Sequence, residues 1–216
     1  MLVPGLLCTA DLFRAQIEAL EPDVVVVTDT VSDDSIAAMA ERLLADAPPR
    51  FVLCGLSMGG YVALEVVRRA PERVSGLVLV ATSARPDTPE QTATRRRLVA
   101  LARRQGVGAV AEALCPRLLG PAARQDAALR DRVKDMAEAV GLEAFERQQT
   151  AIMSRSDQRS TLARLAIPTT VLVGTADEVI PSVCSEEMAS MIPDARLRMI
   201  GSTGQGTSCP WKRLTP

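Results

Sequence analysis

Four short runs of continuous apolar, mostly β-branched residues limit the folds open to this chain: "DVVVVTD" (23–29), "RFVLCG" (50–55), "GLVLVAT" (76–82) and "IPTTVLVG" (167–174). A strand with one wet face alternates in polarity. These runs do not alternate, so burial on both faces is expected. "MLVPG" reads as the end of a further strand and "ARLRMI" (195–200) as a last one, about six in all. Helical patterns lie between them at Asp11 to Leu20, Asp33 to Ala45, Ser57 to Arg69 and Pro181 to Met191, the last two stopped by Pro71 and Pro193. Strand, helix and strand in repeated succession predict an α/β fold with a mostly parallel sheet and helices on both faces.

Residues 84–166 break that rhythm. They hold no strand-like run and show helical periodicity at Thr92 to Arg104, Val107 to Leu119, Ala127 to Ala139 and Leu142 to Ser154. A crossover between parallel strands needs only about 12 residues, so this stretch is expected to be a helical cap inserted into a core made of 1–83 and 167–216. A chain of 216 residues suits one such domain with an insertion.

Charge excludes several classes. Lys+Arg number 25 against 26 Asp+Glu, and the longest basic run is Arg95, Arg96, Arg97, so neither nucleic acid nor a membrane surface is an expected partner. No apolar run approaches the roughly 20 residues of a spanning helix. The N-terminus lacks the charged start and cleavage site of a signal peptide, and a cytoplasmic location is expected. Cys8, Cys54, Cys115, Cys184 and Cys209 form no CxxC pair or metal-ligand spacing and read as small buried apolar residues. Neither a metal nor a cofactor is expected.

The chemistry concentrates at Gly55-Leu56-Ser57-Met58-Gly59, which comes after a strand and opens a helix. A serine on so sharp a turn is held in strained backbone, and side chains two residues before and after it would strike the neighbouring strand or helix, which gives Gly55 and Gly59 a steric reason. The start of the helix offers the free Met58 amide to a developing oxyanion. Ser57 is the candidate nucleophile.

"LVPGLLCTADLF", "LCGLSMGGYVALEVVRRAPERVSGLVLVAT" and "IPTTVLVGTADEVIP", in that order with a helical insertion before the third, resemble the α/β-hydrolase superfamily, especially its small bacterial esterase-like members. The resemblance implies that Pro4-Gly5 stands where many members have His-Gly and that the Leu6 amide is the second oxyanion donor, although a plain strand-to-helix turn would look the same. It also implies Asp177 as the triad acid, with capping of the element at Pro181 as the competing role, and Asp87 as a second candidate. A serine nucleophile disfavours the dehalogenase and epoxide-hydrolase branches and leaves attack on an ester or related carbonyl through an acyl-enzyme, with an acyltransferase on the same scaffold or a catalytically inactive binding module as the alternatives. The expected partner is an uncharged small-molecule acyl substrate under the cap.

The resemblance calls for a histidine after the last strand, and the chain contains none. Beyond Ile200 the chain reads "GSTGQGTSCPWKRLTP", without helical or strand period. Only Lys134 and Lys212 among the basic residues are lysine and alanine is abundant, the usage of GC-rich coding DNA. With G or C in third codon positions, reading from the third base turns Gln205-Gly206-Thr207 into Gly-His and the stretch as a whole into A-G-H-L-V-P-L-E-A-P-D-A. That peptide is very like the superfamily's histidine loop and the start of its closing helix. A frameshifted terminus is the reading this supports, with a divergent tail as the alternative. Without the histidine, the 216-residue form is expected to be nearly inert.

Overall fold

The computed structural model describes residues 1–22, 24–120 and 123–201. In chain order its regular elements are β1 (Leu2–Val3), α1 (Arg14–Leu20), α2 (Ile36–Asp46), β2 (Phe51–Leu56), α3 (Met58–Arg69), β3 (Val74–Val80), α4 (Pro89–Gln105), α5 (Val107–Leu118), α6 (Ala127–Met153), α7 (Arg159–Leu162), β4 (Thr169–Gly174), α8 (Ser182–Met191) and β5 (Arg196–Ile200), joined in places by short 3-10 turns. The strands form one sheet in the order β1-β2-β3-β4-β5, every neighbouring pair parallel. The fold is that of an α/β hydrolase. All five C-terminal strand ends therefore lie along one edge, where the connections to helices gather.

Five strands are present where about six were expected. Of "DVVVVTD", Asp23 lies outside the described residues and the rest supplies a single bridge, Leu2 to Val27. Its hydrogen bonds run from Leu2 N–H to the Val26 carbonyl and from Thr28 N–H to the Leu2 carbonyl. The partner strand β1 is only two residues long and leads into Pro4, which has no N–H to extend a ladder, so the run stays at one bridge.

Burial on both faces is also corrected. Phe51, Leu53 and Gly55 of β2 are buried while Val52 is 55% exposed and Cys54 half-buried, and β4 alternates in the same way. Of the helices, α3 packs on β1, β2 and β3, and α8 packs on β4 and β5. Their common core joins Leu53, Leu77 and Val171 of the sheet to Val62, Val66 and Met188 of the helices, with α2 behind α3 through Met39 and Leu43. The opposite face, with Val52, Val78 and Leu172, is half-exposed among the described residues.

Between β3 and β4 every regular element among the described residues is helical. Helix α4 opens with a capping box in which Thr88 and Gln91 satisfy each other's amides. Helix α6 is broken at Gly141, whose φ of 78° lies in the left-handed region, so the two helices expected on either side are present as two segments. These helices have a core of their own around Val110, Ala137 and Phe145, and it takes in Leu7 from the loop after β1.

Candidate active site

Ser57 is the first residue past β2 and caps α3, with φ 53° and ψ −112°. A side chain other than glycine rarely takes positive φ, and such strain persists only where the surroundings fix it. Here the Ser57 N–H donates to the Val80 carbonyl at 2.9 Å, and its own carbonyl accepts from Gly60 N–H at 2.9 Å and from the Thr82 hydroxyl at 2.8 Å. The backbone is thus tied to β3 from both ends. The Ser57 hydroxyl makes no hydrogen bond to another described residue.

The glycines around it are set by contact. A Cβ on Gly59 would lie 2.0 Å from the Val3 carbonyl oxygen of β1, and one on Gly55 would lie 2.3 Å from the Gly59 carbonyl oxygen. Strand and helix meet here at backbone distance, with no room for a side chain. The loop after β1 lies against the same turn, since a Cβ on Gly5 would come 3.6 Å from that of Ser57. Leu6 N–H and Met58 N–H make no hydrogen bond to another described residue.

That loop is braced from above. Leu7 has φ 57°, and its N–H donates at 3.1 Å to Oε1 of Gln148, a fully buried residue of α6 whose Nε2 donates at 3.1 Å to the Thr30 carbonyl. Sequence reasoning missed Gln148, because a glutamine inside "FERQQT" carries no local signal. It also missed Thr82, for which a polar residue ending the strand run "GLVLVAT" is a usable cue.

Asp177 stands three residues past β4 on the same sheet edge as Ser57. The ends of β2 and β4 are two strands apart, roughly 10 Å at the usual spacing of a sheet. Asp177 Oδ1 accepts from Val179 N–H at 2.8 Å and Ile180 N–H at 2.9 Å, while Oδ2 has no partner among the described residues. Burial raises the carboxyl pKa above its usual value, opposed by those two amides. Asp87, the second candidate acid, is instead committed to ion pairs with Arg95 Nε at 2.6 Å and Arg155 Nη1 at 2.5 Å and is 1% exposed. The histidine position proposed from the shifted frame, near Gly206 and Thr207, lies outside the described residues.

A family model described as the alpha/beta hydrolase family matches residues 6–212. The chain belongs to that family. This α/β hydrolase is 28% identical over 196 residues to a pimeloyl-[acyl-carrier protein] methyl ester esterase of Aromatoleum aromaticum, a match covering 79% of the chain and 72% of the relative. It is 37% identical over 163 residues to the enzyme of the same name in Klebsiella pneumoniae, covering 68% and 59%. A solved structure of a thermophilic esterase from Thermogutta terrifontis superposes with a TM-score of 0.83 at 29% identity, over 99% of the chain and 83% of that protein. An enol-lactonase from Burkholderia xenovorans LB400 shares the fold, with a TM-score of 0.81 at 22% identity over 96% of the chain and 83% of the lactonase.

Among the described residues no group of three or more His, Cys, Asp or Glu side chains could hold a metal ion, and no helix is long and apolar enough to cross a membrane. The described cysteines are free; Cys115 is buried and Cys8, Cys54 and Cys184 are half-buried, a wetter set than expected, and Cys209 lies outside the described residues. Burial pushes the Cys8 thiol up to about 12.

Proposed function

We propose that this scaffold hydrolyses a carboxylic ester through an acyl-enzyme on Ser57. The observation that carries the reading is the Ser57 backbone at positive φ with its hydroxyl unbonded, between the unspent amides of Leu6 and Met58. Ser57 Oγ attacks the ester carbonyl and passes its proton to an imidazole; the two amides face the resulting oxyanion. Collapse breaks the C–O bond and the imidazolium protonates the leaving alkoxide. Water then repeats the sequence, releasing the acid and restoring the serine. Asp177, with Oδ1 held by two amides and Oδ2 unbonded, orients the imidazole and faces its positive form. The ester activity named for the relatives supports a small alkyl ester of a longer acyl chain as substrate. Residues 84–166, entering after β3 and returning to β4 beside it, form the cap over that chain.

The imidazole is missing from the 216 residues. Neither lysine occupies the sequence position that matches the family's histidine, and arginine stays protonated at neutral pH. Removing the histidine of a serine triad costs on the order of 10⁶ in kcat, so the chain as written is nearly inactive. The shifted frame restores a Gly-His and a closing helix suited to the half-exposed sheet face at Val52, Val78 and Leu172. The test is a chain carrying that frame after Ile200. It should hydrolyse a p-nitrophenyl ester, Ser57→Ala should abolish turnover, and the 216-residue form should show little. Equal rates from both forms would reject the reading, as would a gene whose shifted frame encodes no Gly-His. The missing base favours one other reading, an inactive fold kept for binding. A gene with no histidine loop in any frame downstream would select it.

A further inference from the structure

A cavity lies along the outer side of α3 and does not include Ser57 or Asp177. It has a volume of about 430 Å³ and opens between the start of α2, the outer turns of α3 and the connection from α6 to α7. Its charge is unbalanced. The Glu65 carboxylate, buried on α3, is shared by two guanidiniums: Arg68 Nη2 and Arg69 Nε both donate to Oε1 at 2.6 Å. Glu41 reaches Arg69 only at 3.8 Å and is itself 79% exposed, too screened to neutralise it. Asp87 is likewise shared by Arg95 and Arg155. Arg164, also on the lining, has no acidic partner among the described residues. The other lining charges cancel, Arg85 against Glu187 at 2.7 Å and Asp157 against Arg159 at 2.5 Å. On the lining itself, Glu65 thus faces the guanidiniums of Arg68, Arg69, Arg155 and Arg164 once those pairs are set aside, with Asp87 reaching Arg155 from outside the lining.

The donors are not used up. The Arg155 side chain is only 6% exposed and stacks 4.3 Å from the Tyr61 ring centroid. Its Nε donates to the Arg85 carbonyl and its Nη1 to Asp87 and the Ile152 carbonyl, while Nη2 has no partner among the described residues. Nη2 therefore remains a free donor for an acceptor in the cavity. Opposite, α2 presents its first turn: Ser35 spends its hydroxyl on Ala38 N–H, and the Ile36 and Ala37 amides make no hydrogen bond to another described residue. The positive end of the helix dipole adds to the arginine field.

We propose that this cavity is a binding site for a small phosphate monoester, separate from the ester-hydrolysing site. A phosphoryl group brings up to two negative charges and three acceptor oxygens, which match a surplus of guanidinium charge with unspent N–H donors better than one carboxylate would. The volume leaves room for a short polar alcohol portion beside the phosphoryl group, against the hydroxyls of Ser156 and Ser160 on the lining.

The test uses the 216-residue chain and does not depend on esterase activity. Calorimetric titration with glycerol 3-phosphate should give saturable one-to-one binding, displaced by inorganic phosphate at higher concentration and not reproduced by sodium chloride of equal ionic strength. Arg155→Gln should weaken it about tenfold or more, the loss of a charge-assisted hydrogen bond. Because Arg155 also pairs with buried Asp87, the exposed Arg164→Gln is the second variant and should weaken binding about threefold to tenfold with an unchanged melting temperature. No saturable heat would overturn the proposal. So would affinity unchanged in both variants, an equal response to chloride, or inorganic phosphate binding as tightly as the ester.

Discussion

The Thr82 hydroxyl donates to the Ser57 carbonyl at 2.8 Å, so the loop just past β3 holds the strained turn after β2. Thr82 is fully buried and its methyl group packs where Gly60 leaves room. Thr82→Val keeps that shape and removes one hydrogen bond, with the Ser57 carbonyl still held by Gly60. It is expected to cost about 1 kcal/mol, or roughly 2 to 4 °C in melting temperature, and Thr82→Ser less. Thermal unfolding of the two variants measures this; a Thr82→Val protein as stable as the parent would mean the clamp is slack.

Glycine positions should divide sharply by what surrounds them. Gly59→Ala puts a Cβ 2.0 Å from the Val3 carbonyl, backbone that cannot step aside, and a loss of more than about 4 kcal/mol or no soluble protein is expected. Gly106→Ala meets nothing within 4 Å and bears only the strain of φ +81°, about 1 to 3 kcal/mol. Denaturant titration of both, with the order reversed, would contradict the close approach of β1 and α3.

Glu65 should govern part of the acid stability. Burial pulls its pKa up, but the hydrogen bonds and charges of Arg68 and Arg69 outweigh this and bring it down to about 2 from the ordinary 4.5. A carboxyl depressed by folding contributes stability that is whole above pH 4.5 and fades as pH falls through 2. Urea unfolding of the parent and Glu65→Gln should therefore show a gap at pH 7 that narrows steadily below pH 4.5. A gap independent of pH would remove the charge from the explanation.

Asp177 should trade stability for chemistry. Burial raises its pKa, so its stability contribution is whole below the unfolded value and lost as pH rises through the folded one, and at pH 7 the ionised group weakens the fold. Asp177→Asn keeps an oxygen for the Val179 and Ile180 amides and removes that charge, so in the 216-residue chain it should raise the melting temperature at pH 7 and not at pH 3. In the frame-restored chain the same change should lower kcat by about 10⁴. A melting temperature that falls at pH 7 would give Asp177 a capping role alone.

The sequence made the strand-and-helix alternation legible because each signal was local: continuous apolar runs for β2, β3 and β4, proline stops after α3 and α8, and glycine spacing around Ser57. It overstated "DVVVVTD", whose ladder depends on the length of β1 and not on its own residues. It likewise overstated burial, since whether Val52 meets a helix is decided by distant parts of the chain. The links from Gln148 to Leu7 and from Thr82 to Ser57 span 141 and 25 residues, distances over which no motif or period speaks.

The bond between Gln148 and Leu7 also bears on how such molecules can be recombined. Helix α6 supplies the acceptor for an amide in the loop after β1, and Leu7 places its side chain in the core of those same helices. A helical segment grafted from another scaffold would leave that amide buried and bare, a penalty of about 1 to 3 kcal/mol at a loop held in left-handed geometry. The heritable module is therefore the helices together with residues 5–8, and chimeras that exchange only 84–166 should begin from a handicap that a glutamine at the position of 148 relieves.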